Sequence, residues 1–308
     1  MRAKHGRRIV AGTESGLFVV SGDDCGQIQG LAGREITALA RAARGWWAIV
    51  EGRTLWRAAR SDSWREVATV DKGGATCLLP LPNALYVGTE SARLLRLTNG
   101  ALAPVLSFDR AAGRDEWYTP WGDPADVRSM AVDRAGAIYV NVHVGGVVRS
   151  RDGGRSWAPT LDIETDVHQV IAHPTRPGVV LVAAAAGFGV SRDGGESWKF
   201  RNDGLHAGYL RAVAVSGETA LVTASTGPGS RRCAVYRKTL DGDGPFERCR
   251  EELPEWFRSN IDTGCLAASG SAVAFGTNDG SIFRSTDSGG RWQLTAKGLP
   301  PVQCVAIE

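Results

Sequence analysis

One eight-residue pattern, written three times, restricts what this chain can fold into more than any other feature. Ser150-Arg-Asp152-Gly-Gly154-Arg-Ser-Trp157, Ser191-Arg-Asp193-Gly-Gly195-Glu-Ser-Trp198 and Ser285-Thr-Asp287-Ser-Gly289-Gly-Arg-Trp292 all read S-x-D-x-G-x-x-W. The pattern has a physical reading as a hairpin turn. An Asp carboxylate accepts backbone N–H bonds within the turn, and glycine supplies a positive φ. The Trp then opens the next strand and offers a large apolar face to a neighbouring sheet. A short strand precedes each copy: Gly146-Val-Val-Arg149, Phe188-Gly-Val190 and Ile282-Phe-Arg284.

The strands around the turns repeat more widely than the turns themselves. An inner-strand series reads Ile36–Ala40, Thr76–Leu79, Arg128–Val132, His168–Ala172, Arg211–Val215 and Gly264–Ala268, with a seventh copy, Gln303–Ile307, at the C-terminus. The copies recur at roughly 40 residues, the length of a four-stranded propeller blade. Two longer gaps mark insertions at 109–125 and 250–262. Second strands follow at Trp46–Val50, Leu85–Val87, Ile138–Val140, Val180–Val182, Leu221–Val222 and Val273–Phe275, and Ile9–Ala11 supplies one more with no inner strand before it. The orphan at each end completes the other, which closes a ring and removes a free sheet edge. The expectation is an all-β chain, a single seven-bladed β-propeller over 1–308. Its first blade is split, with 302–308 joining 7–31. Three turns depart from the pattern: Ser61-Asp62-Ser63-Trp64 is shortened, Leu97–Gly100 has lost it, and Thr239–Gly244 keeps only acid and glycine.

Composition excludes several function classes. Thirty-six basic against thirty-three acidic residues leave a net charge of +3, too little for an obligate nucleic-acid binder with a concentrated basic face. The one basic run, Arg2, Lys4, Arg7 and Arg8, reads as a frayed, solvated tip. The apolar stretch after it is only Ile9–Ala11, too short for an export signal. The longest apolar run, Val179–Ala186, is strand-sized and far short of a bilayer span. A cytoplasmic location is expected, with no membrane partner. The cysteines (Cys25, Cys77, Cys233, Cys249, Cys265, Cys304) show no C-x-x-C spacing and suit a reducing compartment. Cys77, Cys265 and Cys304 share one register position that elsewhere holds Thr37, Ser129, Gln169 or Ala212, so no metal is expected there. No cofactor is expected either.

The three turns resemble the Asp-box, or bacterial neuraminidase repeat, of sialidases, xyloglucanase-type glycosidases, sortilin-like receptors and photosystem II assembly factors. Val167-His168-Gln-Val-Ile-Ala-His173-Pro174, followed by a second strand and a box, is similar to the repeat of the xyloglucanase and assembly-factor groups. The resemblance implies the propeller fold but mixes enzymes, receptors and chaperones, so it does not imply one activity. A sialidase would need three arginines on the substrate carboxylate and a tyrosine paired with a glutamate. Arg7-Arg8-Ile9-Val10 does not match the early arginine motif of that family. A xyloglucanase-type site would need two carboxylates flanking a sugar; Asp166 and Asp262 are the available pair, and the second propeller usual in such enzymes is missing.

Propeller topology sorts the remaining residues. Asp152, Asp193 and Asp287 belong to the box face and are expected to be structural. The opposite face, where inner strands begin, collects Asn141 and His143 in a turn of blade four, Arg128, then Asp166 and His168 at blade five. His206, Tyr209 and Arg211 enter blade six. Imidazoles titrate near neutral pH and serve as acid, base or ligand. The site reading takes His143, His168, His206 and Asp166 as catalytic. Asn141, Arg128, Tyr209, Arg211, Trp117, Trp121 and Trp256 are then ligand-binding, with the aromatic insertions as pocket walls. This reading is a lyase or hydrolase acting on a sugar-like or anionic small molecule. The alternative is a non-catalytic scaffold, or assembly factor, whose aromatic insertions dock a protein partner or pack as plugs on their own blades.

Overall fold

A computed structural model describes residues 7–22 and 24–308. Among them the chain forms seven antiparallel four-stranded sheets, each running in sequence order from an inner to an outer strand. Blade one is the exception in order: its inner strand, Val302–Ile307, pairs with Ile9–Thr13, and Gly16–Ser21 and Asp24–Gln27 follow. The ring is therefore closed by the C-terminal strand, with Ile9 opposite Ile307 and Ala11 opposite Val305. Arg2 and Lys4 lie outside the described residues. Arg7 and Arg8 are not frayed as expected. Arg7 donates to Ser269 Oγ and Arg8 pairs with Glu308, so both fasten the closure.

Blade interiors explain the sequence pattern. The second strands Ile9–Thr13, Ile138–Val142, Val180–Ala184 and Ala272–Gly276 are buried along their whole length. A strand covered on both faces reads as a continuous apolar run and not as an alternation. Packing occurs between blades, and one core joins Tyr86, Leu94 and Phe108 of blade three to Ile138, Val140 and Trp157 of blade four. Gly12 and Gly88 are needed at such contacts, since a Cβ there would lie 2.6 Å from Cys304 Sγ and 2.5 Å from Cys77 Sγ.

Inner strands share a bulge close to their first residue. Register breaks between Ile36 and Ala38, Ala75 and Cys77, Val127 and Ser129, Val167 and Gln169, and Leu210 and Val213. A bulge adds an unpaired residue and re-aims its side chain. Thr37, Thr76, Arg128, His168 and Arg211 thus hold matching positions at one end of successive blades. Most strands run a residue or more past the sequence expectation, and two further differences concern the ends of elements near the channel. The seventh blade's inner strand begins at Leu266, after a turn at Gly264, and Asn141 lies inside a strand and not in the turn after it.

The box turns behave as structural devices. Oδ1 of Asp152 accepts from the backbone N–H of Arg155 and Ser156, both at 2.9 Å, and Oδ2 accepts from the Ser156 hydroxyl at 2.6 Å. Asp193 repeats this with Ser197, and Asp287 accepts from Arg291 N at 2.9 Å. Hydrogen bonds from Ser156 and Ser197 hold the Asp152 and Asp193 carboxyls far below the usual range. The indoles seal neighbouring blades: Trp157 donates to Ser107 Oγ at 3.2 Å and Trp198 to Thr160 O at 2.8 Å.

Candidate functional site

The matching bulges have a consequence at the channel. Side chains near them reach across to the first inner-strand carbonyls of the next blade. Cys304 donates to Ile36 O at 3.6 Å and Cys77 to Val127 O at 3.6 Å. Asn141 Nδ2 donates to Val167 O at 3.0 Å, and Cys265 to Val302 O at 3.5 Å. The thiols are hydrogen-bonded spacers, and burial pushes Cys77 and Cys265 up to about 12. Asn141 is equally structural on its amide nitrogen, which also reaches Ser129 Oγ at 3.2 Å.

His168 belongs to the same series, and there the series becomes chemically useful. Its Nδ1 lies 2.5 Å from Leu210 O. A carbonyl only accepts, so Nδ1 carries the proton and the neutral ring presents a bare Nε2. That Nε2 faces Asp166 Oδ2 at 3.4 Å, one acceptor opposite another. Burial lowers the pKa of His168, and Asp166 offsets this only partly.

His143 continues the array. Its Nδ1 stands 3.2 Å from Asp126 Oδ1 and its Nε2 3.4 Å from Asp166 Oδ1. Its ring thus lies between two carboxylates, one at each nitrogen. Arg128 Nη1 approaches Asp166 Oδ1 at 3.5 Å, and Arg128 Nε lies 4.0 Å from Asp126 Oδ1. Burial raises both carboxyls, but their imidazole and guanidinium neighbours outweigh it and keep Asp126 and Asp166 below the ordinary value. The distances are short, yet the groups are not aligned as hydrogen bonds. Asp126 Oδ1, Arg128 Nη1, Asn141 Oδ1, His143 Nδ1, Asp166 Oδ1 and His168 Nε2 are all buried without an aligned hydrogen bond, although all but Asn141 Oδ1 stand within 4.0 Å of a charged or imidazole group. Buried polar groups without a hydrogen bond inside the protein are uncommon and are candidates for contact with a polar ligand.

Around this array the sequence-expected residues separate. Tyr209 packs its ring 4.7 Å from His168, and Arg211 binds Asp262 Oδ1 at 2.6 Å and the Tyr209 hydroxyl at 3.3 Å. Trp121, 64% exposed, stands edge-on to His143 at 4.9 Å and overhangs the array. His206 is elsewhere. Its nitrogens face Tyr236 OH at 2.9 Å and Arg232 O at 3.2 Å, and its ring meets Trp256. Trp256 is sandwiched between Arg232 and Arg248. Trp117 packs on Phe108 and Arg114. The insertions are thus largely plugs on their own blades: Ala111, Ala125 and Ile261 are core residues, and Phe257 pairs with Cys233. Sequence reasoning missed Asp126. Its signal was present, because Asp126-Val-Arg128 repeats Asp166-Val-His168 at the same place in the blade.

No protein-family profile matches the sequence, and no curated protein matches it. Solved structures do match in fold. An ancestral GH74 enzyme aligns with a TM-score of 0.62 at 15% identity over 89% of this chain. The GH74 xyloglucanase of Xanthomonas campestris aligns with a TM-score of 0.61 at 17% identity over 94%. This chain spans only 38% and 46% of those two proteins. YCF48 in complex with a peptide aligns with a TM-score of 0.59 at 13% identity, over 86% of this chain and 83% of that one. At these identities the likeness is one of architecture. This chain is a seven-bladed β-propeller, distantly similar in fold to propellers of enzymes and of peptide-binding proteins, with a buried His/Asp cluster at one end of its channel.

Proposed function

We propose that this propeller binds a small polar molecule over the channel at the Asp126–His143–Asp166–His168 array and acts on it by proton transfer, as a lyase or hydrolase. The observation that carries the reading is the concentration there of buried polar atoms without an aligned hydrogen bond. A ligand hydroxyl alongside His168 Nε2 and Asp166 Oδ2, 3.4 Å apart, would donate its one proton to the imidazole or to the carboxylate. His168 is the base in this scheme, its tautomer set by Leu210 O, and Arg128 holds an anionic part of the ligand. A sugar-like acid has both features. The glycosidase-type pair offered by the sequence, Asp166 and Asp262, is not the basis of this reading, because Asp262 Oδ1 is taken by Arg211 at 2.6 Å while Asp166 faces His143 and His168. The three boxes and the fold likeness support kinship with Asp-box propellers, and six free cysteines support a reducing, cytoplasmic location.

The test is thermal-shift screening of hydroxy acids and sugar acids against the parent protein, Asp166→Asn and His168→Gln. Stabilisation confined to the parent is expected. Equal stabilisation of both variants would sink the reading. So would imidazole nitrogen NMR showing His168 Nε2 protonated in the free protein at neutral pH, since the array would then be a closed ion network.

A second reading rests on the first insertion. Trp121, Tyr118 and Leu106 are exposed at 64%, 41% and 62%, which suits a protein-docking surface. Under that reading Trp121→Ala abolishes capture of a partner that Asp166→Asn still captures.

A further inference from the structure

A different site lies on the box face between blades five and six, where the repeat has decayed. Thr239-Leu-Asp241-Gly-Asp243-Gly-Pro-Phe246 occupies the eight box positions, with Phe246 where the other copies have Trp. Asp241 no longer closes its own turn. Its carboxylate takes Arg176 Nη1 at 2.8 Å and Arg192 Nη1 at 2.6 Å instead. Phe246 turns inward, edge-on to Phe188 at 5.3 Å. Phe246 seals this joint in place of the indole, and beside it the two blades line a recess of about 400 Å³.

The lining of the recess defines its chemistry. Phe188, Val190 and Leu240 make an apolar floor, and Arg192, Lys199, Arg201 and Lys238 surround it. Only Asp241 and Asp243 oppose these four cations. Asp241 is saturated by arginines, and Asp243 faces Arg201 at 3.7 Å. Two ammonium groups are left uncompensated. Lys199 has no partner among the described residues, and Lys238 donates only to the neutral Gly244 carbonyl. Lys199 and Arg201 project to one side of the same strand, two residues apart, as strand periodicity requires.

We propose that this recess binds a small phosphate monoester carrying an apolar or planar body, of about the size of a mononucleotide. Two uncompensated ammonium groups match a phosphate of nearly two negative charges, where a carboxylate would neutralise one. The floor accepts the body, and the volume falls within the range of small-molecule sites.

The experiment is isothermal titration with adenosine 5′-monophosphate, and separately with adenosine and with inorganic phosphate, at low and raised salt. The monophosphate should bind at least tenfold more tightly than either fragment, and more weakly as salt rises. Lys199→Glu and Arg201→Glu, both on an exposed outer strand, should each weaken it tenfold or more at unchanged melting temperature. Val190→Trp, which fills the recess, should abolish it. Inorganic phosphate binding as tightly as the monophosphate would overturn the role of the floor. Affinity retained in both glutamate variants, or no binding of the monophosphate at millimolar concentration, would overturn the site.

Discussion

Removing Val302–Glu308 takes away the whole inner strand of blade one, and the size of the effect follows from what that strand buries. Val302, Val305 and Ile307 are 5–6% exposed, and they pack with Ile9, Ala11 and Val20 of blade one and Ala272, Ala274 and Ile282 of blade seven. Burying one such side chain contributes about 1.5–3 kcal/mol, so the three together contribute roughly 5–9 kcal/mol. The backbone ladder to Ile9–Thr13 is lost as well, leaving an open edge. A folded domain commonly has about 5–15 kcal/mol in total. The truncated chain should therefore fail to give a cooperative melt and should aggregate in size-exclusion chromatography. A milder variant keeps the test quantitative. Ile307→Ala should cost about 2–5 kcal/mol, lowering the melting temperature on the order of 5–10 °C. A truncated protein melting cooperatively at the parent temperature would refute closure by this strand.

The box carboxyls give a second test, through pH. Their folded-state pKa values are depressed, so the stability they contribute is present above the unfolded value, about 4, and is lost as pH falls toward the folded one. The double variant Asp152→Asn, Asp193→Asn should melt below the parent at pH 7 and approach it on acidification; parallel melting curves at every pH would contradict the assignment. His168 works in the same pH direction for the opposite charge. Its lowered pKa means the unfolded chain takes up a proton first, so stability falls as pH drops below about 6.5. In His168→Gln part of that slope, measured between pH 7 and 5, should disappear, and an unchanged slope would mean that the ring is not held neutral. A fourth expectation concerns faces: Asp193→Ala should lower the melting temperature and leave ligand-induced stabilisation at the channel intact.

The fold was legible because each blade buries strands on both faces and so writes continuous apolar runs, separated by turn residues with fixed chemistry. Ring closure was legible for the same reason, as two orphan strands at opposite ends. The site was legible only in part. His168 and Arg128 occupy a repeated register position, and such positions can be lined up by eye. His206 precedes Arg211 by five residues and does not share that register, which is why its ring ends beside Tyr236 and Trp256. Trp117, Trp121 and Trp256 looked alike in sequence because nothing local says which way an insertion folds back. Phe108 decides the first, by drawing Trp117 down and leaving Trp121 out. The Phe246 turn shows only acid and glycine to the eye, since a Phe in a Trp position escapes a pattern built on Trp.

One structural device underlies both the ring and the proposed chemistry. At five of the seven joints between neighbouring blades a side chain at or beside the bulge donates to a carbonyl across the gap. A thiol or an amide in that role completes its task with one donor. An imidazole does not, because it has a second nitrogen. When Nδ1 of His168 satisfies Leu210 O, the ring is fixed in orientation and tautomer, and Nε2 is presented as a bare base beside Asp166. Positioning and tautomer then come from a kind of contact that also recurs at other joints of the ring. Asp126 and His143 are held differently, within blade four itself, where the backbone N–H of His143 in the turn after the second strand donates to Asp126 O at the start of the inner strand at 2.9 Å. A binding site can thus arise in such a ring by substituting residues already held by interblade hydrogen bonds, with little change to the packing that stabilises the blades.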